Sequence, residues 1–242
     1  MICKICGGDC KEKNGNYVCK YCGAVWQTKE TTVSSTPVKS VDTGVSVYDK
    51  NINGILEIVC PTPTGTFSGS GSLITADGYA LTNTHVVTHN NVPFQEIIVR
   101  IAGETVNATV VKLGDNLGGL GSGVDLAILK LSRVPANASV VKLGNTDDVR
   151  NGEKVYVIGN SRGEGTCITS GIVSDRLRQV SGKTLLMTDC AVNPGNSGGP
   201  IFDEDGVAIG TIVSKRIDSE GMNYAIPANT VRQFIESVIK NF

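Results

Sequence analysis

Residues 69–87 read GSGSLITADGYALTNTHVV, and the punctuation of this stretch decides the architecture. Apolar residues lie on both sides of Ala76-Asp77-Gly78, a turn signal, so the chain runs out as one short strand and returns as another. The returning run ends directly on a histidine, His85. The same grammar repeats outward in GILEIVC (54–60), EIIVRIAG (96–103), TVNATVVKLG (105–114), VDLAILKL (124–131) and EKVYVIGN (153–160). It continues in CITSGIVSDRL (167–177), TLLMTDC (184–190), GVAIGTIVSK (206–215) and MNYAIP (222–227), with Asn151-Gly152 and Asp205-Gly206 as further turns. The 29 glycines and 5% aromatic content suit many short strands joined by tight turns. A single long helical pattern closes the chain, where Val231, Phe234, Ile235, Val238 and Phe242 recur at helical spacing within 227–242. An all-β body closed by a terminal helix predicts a barrel or a pair of barrels.

The bulk properties exclude several roles. A net charge of −1 gives no field that would recruit nucleic acid or an anionic membrane. No apolar run is long enough to span a bilayer, and MICKICGGDCKEK at the start has no apolar core of signal-peptide length. The expected location is therefore the cytoplasm, where cysteines stay reduced.

Five of the eight cysteines lie within residues 1–22. Cys3 and Cys6 form one C-x-x-C pair and Cys19 and Cys22 another, twelve residues apart. Each spacing lets one turn present two sulfurs to the same ion, and two such turns complete a tetrahedral four-sulfur site suited to zinc. Gly7 and Gly23 follow the second cysteine of each pair, where a knuckle turn needs positive φ. The segment resembles a zinc ribbon over residues 1–26, with structural zinc holding a unit too small to fold on apolar burial. Disulfides or redox C-x-x-C motifs are the plainer alternatives, and Cys10 is either a spare thiol or a competing ligand. A surplus of two positive charges there gives nucleic acid no support; protein docking or a purely structural role is expected. Residues 27–44, rich in Thr, Ser and Lys, read as a flexible linker to a body spanning 45–242.

Within the body, NPGNSGGP (193–200) packs three glycines, two prolines and one serine into eight residues. A serine hydroxyl becomes a nucleophile when a base lies in hydrogen-bond reach and a third group orients that base. The chain has two histidines, His85 and His89. Asp125 stands immediately before the alternating run LAILKL, at the lip of a strand where a charge needs a partner. Asp115, in a glycine-rich loop, is the weaker acid, and His89 reads as a surface residue. Cys60, Cys167 and Cys190 read as small apolar residues.

GSGSLITADGYALTNTHVV, VDLAILKL, VRNGEKVYVIGN, TSGIVS, TDCAVNPGNSGGPIFDEDGVAIGT and NYAIPANTV, in that order, resemble the protease domain of HtrA (DegP-like) serine proteases of the trypsin fold. The resemblance covers roughly residues 45–240 and implies two six-stranded antiparallel β-barrels flanking a cleft. It makes Ser197 the nucleophile, His85 the general base and Asp125 the residue that sets the imidazole tautomer, with the Gly195 and Ser197 N–H groups as oxyanion hole. It implies a primary pocket walled by Ala191, Val192, Ile212, Val213, Ser214 and the strand NYAIP. With Ala191 at the base in place of an acid, small or medium aliphatic P1 side chains are expected. Catalysis needs no cofactor, and the substrates are protein or peptide: unfolded proteins or one designated partner. Asn196 replaces the aspartate of digestive trypsins, which excludes activation by a new N-terminus and implies loop ordering. The resemblance also implies a homotrimer, and the chain ends before the PDZ domain usual in the family. The rival reading is an inactive adaptor that docks through its ribbon; the intact His85, Asp125, Ser197 and Gly195 argue against it.

Overall fold

The computed structural model describes residues 2–3, 5–14, 16–27, 43–90, 92–114, 123–215, 221–240 and 242. It divides the chain into two units, Met1–Ser40 and Val41–Phe242. The predicted linker lies almost wholly outside the described residues, as does Asp115.

In the first unit β1 (Cys10–Lys13), β2 (Asn16–Cys19) and β3 (Val25–Gln27) form a three-stranded antiparallel sheet in that order. Two knuckles flank it. Gly7 and Gly23 adopt φ of 72° and 71°, and each donates its N–H back to the carbonyl of Cys3 or Cys19. That reversal is the conformation a side chain would resist, and it explains why both C-x-x-C pairs end in glycine.

The second unit opens with α1 (Thr43–Asn51), which the sequence reading placed partly in the linker and otherwise left unassigned. Its apolar signal is thin. Val47 and Asn51 alone are buried, one turn apart, and Asn51 Nδ2 donates to the carbonyls of Val47 and Gly206 at 3.0 and 3.1 Å. The helix is therefore held by tertiary contact, which periodicity does not reveal.

Strands β4 (Ile55–Thr62), β5 (Gly65–Leu73) and β6 (Tyr79–Thr82) follow, and then the one-turn helix α2 (Thr84–Val87). After the small β7 (Thr88–His89) and β8 (Val92–Pro93) come β9 (Ile98–Ile101), β10 (Glu104–Leu113) and β11 (Ala127–Leu131). The first closed barrel runs β10-β11-β6-β5-β4-β9, antiparallel throughout. Its alternate residues Leu56, Ile58 and Cys60 meet Val99, Ile101 and Leu129 inside, all of them buried.

The second barrel is built from β12 (Lys154–Asn160), β13 (Thr166–Val180), β14 (Lys183–Thr188), β15 (Pro200–Phe202), β16 (Ala208–Lys215) and β17 (Asn223–Pro227). It closes in the order β12-β13-β14-β17-β16-β15. Val155, Val157, Leu186, Ile201, Ile209 and Ile212 fill it. At about 1.5–3 kcal/mol for each large side chain removed from water, these interiors dominate the stability of the unit.

The terminal helix α3 (Ala228–Glu236) buries Val231 and Ile235 one turn apart, against Leu81, Ile128 and Tyr224. It is shorter than the predicted pattern. Phe242 lies beyond its end yet still packs against the same cluster, so the apolar spacing survives after the helical backbone has ended.

Candidate active site and metal centre

The β6–α2 junction and the start of β11 are stitched together by consecutive side chains. Asn83 Nδ2 donates to the Asp125 carbonyl at 2.6 Å, and Thr84 Oγ1 donates to the Leu126 carbonyl at 2.8 Å. The next residue is His85. Its backbone N–H donates to Asp125 Oδ1 at 3.2 Å, while its ring Nδ1 lies 2.6 Å from Asp125 Oδ2. Both carboxylate oxygens thus face the same residue. Asp125 is 6% exposed and the His85 side chain 46%, so the buried acid fixes a ring whose other edge reaches solvent. A proton on Nδ1 satisfies the carboxylate and leaves Nε2 as an acceptor, the tautomer a general base requires.

The loop carrying Ser197 is held by the first barrel. Ser70 on β5 donates its N–H to the Ser197 carbonyl at 2.8 Å and its Oγ to the Gly195 carbonyl at 2.7 Å. Ser70 Oγ also accepts from the Asn160 N–H at 2.8 Å. From the second barrel, Arg162 donates its N–H to the Pro194 carbonyl, and Gly198 donates its own to Ile212. These bonds engage the carbonyls of Pro194, Gly195 and Ser197. Gly195 sits at φ 100°, and a Cβ there would collide with the Asn160 carbonyl oxygen. Among the described residues, the N–H groups of Gly195 and Ser197 have no protein acceptor. Two free donors on alternate residues of one turn are what a developing oxyanion needs.

The serine loop and the histidine converge. A Cβ on Gly69 would strike the Val86 side chain and approach the Ser197 carbonyl, and one on Gly198 would strike Thr82 Oγ1 and crowd the Asn83 N–H. Only glycine lets these strands approach so closely. Among the described residues the Ser197 hydroxyl has no hydrogen-bond partner, so proton transfer to His85 requires the pair to draw together.

The pocket residues separate. Ala191 is exposed, and its carbonyl accepts from Thr169 Oγ1 at 2.9 Å. Val192 and Ile212 join the interior of the second barrel at 7% and 0% exposure, and Val213 is half-buried. Ser214 lies on β16. Cys190, buried behind this wall, has its thiol pushed up to about 11 chiefly by burial, and burial pushes the Cys60 thiol up to about 12. Both are protonated, inert fillers. His89 is exposed and packs its ring against Phe67 at 5.5 Å, outside the pair formed by His85 and Asp125.

Sequence reasoning missed Ser70, Asn83 and Thr84. Ser70 stands in the quoted GSGS, and a serine on a fully buried strand face was the available signal; Asn83 and Thr84 act through bonds to residues more than forty positions away.

In the first unit the sulfurs of Cys3, Cys6, Cys19 and Cys22 all lie within 4.8 Å of one another. Cys3 and Cys22 approach to 3.6 Å, and Cys6 and Cys19 to 3.5 Å. A tetrahedron with metal–sulfur bonds of about 2.3 Å has edges close to these values, so the donor set fits zinc. The N–H groups of Ile5 and Cys6 point at Cys3 Sγ, and that of Tyr21 points at Cys19 Sγ, at 3.4–3.5 Å. The Cys22 and Tyr21 N–H groups hold the Cys19 thiol down at about 6. The Gly8 N–H also lowers Cys6, but the Cys19, Cys3 and Cys22 sulfurs outweigh it and push that thiol up to about 12. To ionise all four thiols this close together would take a cation among them.

The model of the trypsin-like peptidase domain matches residues 69–210, more than half the chain, and the chain belongs to that family. Its relatives lie in the DegP/HtrA branch. It is 36% identical over 178 residues to a "Probable periplasmic serine endoprotease DegP-like" of Brucella suis biovar 1 (strain 1330), covering 71% of this chain and 33% of the relative. It is 40% identical over 166 residues to a protein of the same name from Pseudomonas fulva (strain 12-X), covering 66% of this chain and 32% of that one. The chain thus spans about a third of the length of the curated relatives it matches. Among solved structures, the HtrA-type protease AlgW with tripeptide aligns at TM-score 0.69 and 29% identity, over 81% of this chain and 63% of that one. The serine endoprotease from Yersinia pestis aligns at TM-score 0.67 and 27% identity, over 81% and 66%.

One expectation is overturned. The cytoplasmic assignment rested on the lack of an apolar leader at the first residues, whereas the relatives are named as periplasmic enzymes.

Proposed function

We propose that the chain is a serine endopeptidase that hydrolyses peptide bonds of unfolded or designated partner proteins through an acyl-enzyme on Ser197. The observation that carries this reading is the 2.6 Å bond between His85 Nδ1 and Asp125 Oδ2, beside a loop whose Gly195 and Ser197 N–H groups are free. His85 Nε2 takes the Ser197 hydroxyl proton as Oγ attacks the scissile carbonyl, and returns it to the leaving amine. Asp125 holds the tautomer and stabilises the imidazolium. The two N–H groups receive the oxyanion, each contributing about 3 kcal/mol to transition-state stabilisation. Water then repeats the sequence to release the acyl group. Ala191 at the pocket base offers a cationic side chain no partner, which favours small or medium aliphatic P1 residues.

Residues 1–26 form a zinc module on Cys3, Cys6, Cys19 and Cys22, joined through 27–44 to the protease domain at 45–242. When bound, zinc supplies the cross-link that fixes this module; hydrolysis does not pass through it.

Labelling with a fluorophosphonate probe, which reacts only with an activated serine, tests the catalytic reading. Wild type should label and cleave unfolded protein. Ser197→Ala should not label, and its turnover should fall by about 10⁵–10⁶-fold. Equal labelling of the two would place the nucleophile elsewhere, and silence of wild type even with unfolded protein present would leave a binding protein.

A further inference from the structure

Cys10 is the one cysteine of the first unit outside the four-sulfur cluster. It opens β1 directly across from Cys19, the residue that closes β2. The register of this hairpin is settled at both ends: Lys13 pairs with Asn16 across the turn, and Lys20 donates its N–H to the Asp9 carbonyl at 3.0 Å. In an antiparallel ladder the hydrogen-bonded and non-hydrogen-bonded pairs alternate. The Lys20 N–H to Asp9 carbonyl bond marks that position as hydrogen-bonded, so the next pair, Cys10 and Cys19, is of the non-hydrogen-bonded kind. Such pairs hold their Cα atoms about 4.5 Å apart with both side chains on the same face. That separation lies inside the range of about 4.4–6.8 Å in which a disulfide closes without moving the backbone.

Cys10 lies directly across the hairpin from one of the metal ligands, Cys19. Its sulfur lies 4.0 Å from the Gly8 carbonyl, too far for that contact to engage it. A tetrahedral site already supplied with four thiolates has no place for a fifth. Cys10 is half-buried, so a small oxidant can reach it, whereas Cys19 is 2% exposed and shielded behind it.

We propose that Cys10 and Cys19 form a reversible cross-strand disulfide, which makes the metal module a redox switch sensitive to peroxides. One thiol attacks hydrogen peroxide, becomes a sulfenic acid and releases one water. The partner thiolate, with one proton, attacks that sulfur, closing the S–S bond and releasing a second water. Two thiols lose two electrons and two hydrogens, and one peroxide becomes two waters. Cys19 cannot be a disulfide and a thiolate ligand together, so the site is left with Cys3, Cys6 and Cys22 and loses its fourth bond. The disulfide then replaces the metal as the tie between β1 and β2. A dithiol reductant restores the four-thiolate site.

This inference rests on the zinc reading of the module, and the experiment separates the two. The full chain, its zinc content measured beforehand, is exposed to hydrogen peroxide while a chromogenic chelator records metal release. Remaining thiols are then alkylated and the disulfides mapped by mass spectrometry, with cleavage before Asp9 to separate Cys6 from Cys10. The expected result is a Cys10–Cys19 linkage appearing with zinc release and vanishing, with zinc rebound, on reduction. Cys10→Ser should hold the same amount of zinc and release it about tenfold more slowly. A map in which Cys10 stays alkylated while ligand cysteines pair among themselves would overturn the proposal, as would unchanged release from Cys10→Ser. A chain without zinc before oxidation would instead refute the zinc reading, and the disulfide map would still decide whether Cys10 and Cys19 pair.

Discussion

The two units meet the entropy cost of folding by opposite means. In Met1–Ser40, Cys3 and Cys19 are the only buried side chains among the described residues, while Ile2, Ile5, Tyr21 and Val25 are 67%, 75%, 77% and 59% exposed. In Val41–Phe242, Leu56, Ile58, Ile158, Leu186, Ile201 and Phe202 lose essentially all contact with water. Ordering a backbone costs about 1–2 kcal/mol per residue, a sum the first unit cannot recover from apolar burial. On the proposed zinc reading, its four converging sulfurs do the work that two barrel interiors do in the second unit. The first unit's stability would then be concentrated in one centre, where the second's is spread across dozens of side chains.

If the proposed zinc is bound, removing it would break this comparison most sharply. A strong chelator, or Cys3→Ser, should abolish the first unit outright, since structural zinc contributes about 10–16 kcal/mol in modules of this kind. The barrels should keep their thermal transition. Differential scanning calorimetry beside the amide spectrum of residues 1–26 checks both halves. A fall in the main transition on chelation would mean that the two units fold as one.

Ser70→Ala is the corresponding test inside the protease unit, and its effect should be intermediate. The change removes the Oγ donor to the Gly195 carbonyl and the acceptor of the Asn160 N–H. Both groups are buried, so the loss should cost about 1–3 kcal/mol, or several degrees in the melting temperature. The Gly195 carbonyl also loses its bond to Ser70, so on the proposed oxyanion reading kcat should fall more than KM changes. A drop in stability with kcat unchanged would show that Ser70 ties the barrels together without ordering the oxyanion turn.

The sequence carried the ends of the strands well and the ties between them poorly. His85 and Asp125, which the structure pairs, were legible as polar residues at the edges of apolar runs, Ser197 entered through the family resemblance, and the cysteine spacing was legible because both knuckles are local. Ser70, by contrast, acts on Gly195, 125 positions away, and Asn83 acts on Asp125, 42 positions away. Such bonds exist only once the barrel registers are set. The helix α1 was hidden for a related reason, since its Asn51 finds a partner in Gly206. Val192 and Ile212, expected as pocket wall from the resemblance, are also buried in the interior cluster of the second barrel, a placement that the sequence alone did not reveal.

Acidification sharpens the comparison with the smallest effect on the protease unit. Glu153 is held below the usual carboxylate range, first by the Arg150 side chain and then by the Arg150 N–H, with Nε to Oε1 at 2.7 Å. A depressed carboxylate stabilises the fold above its unfolded value, near 4.5, and that contribution is lost as pH falls through the lower folded value. The pair lies at the surface and is screened, so Glu153→Gln should cost at most about 0.5 kcal/mol at neutral pH and nothing in strong acid. The metal centre responds to the same protons differently. Its ligands must stay thiolates, and in the metal-free unit Cys19 keeps its proton below about 6. Lowering the pH from 7 to 4 should therefore release the metal and unfold the first unit while the barrels barely shift. Thermal melts and zinc release followed across that window check it, and parallel loss of both units would show that the barrels too depend on a single titrating centre.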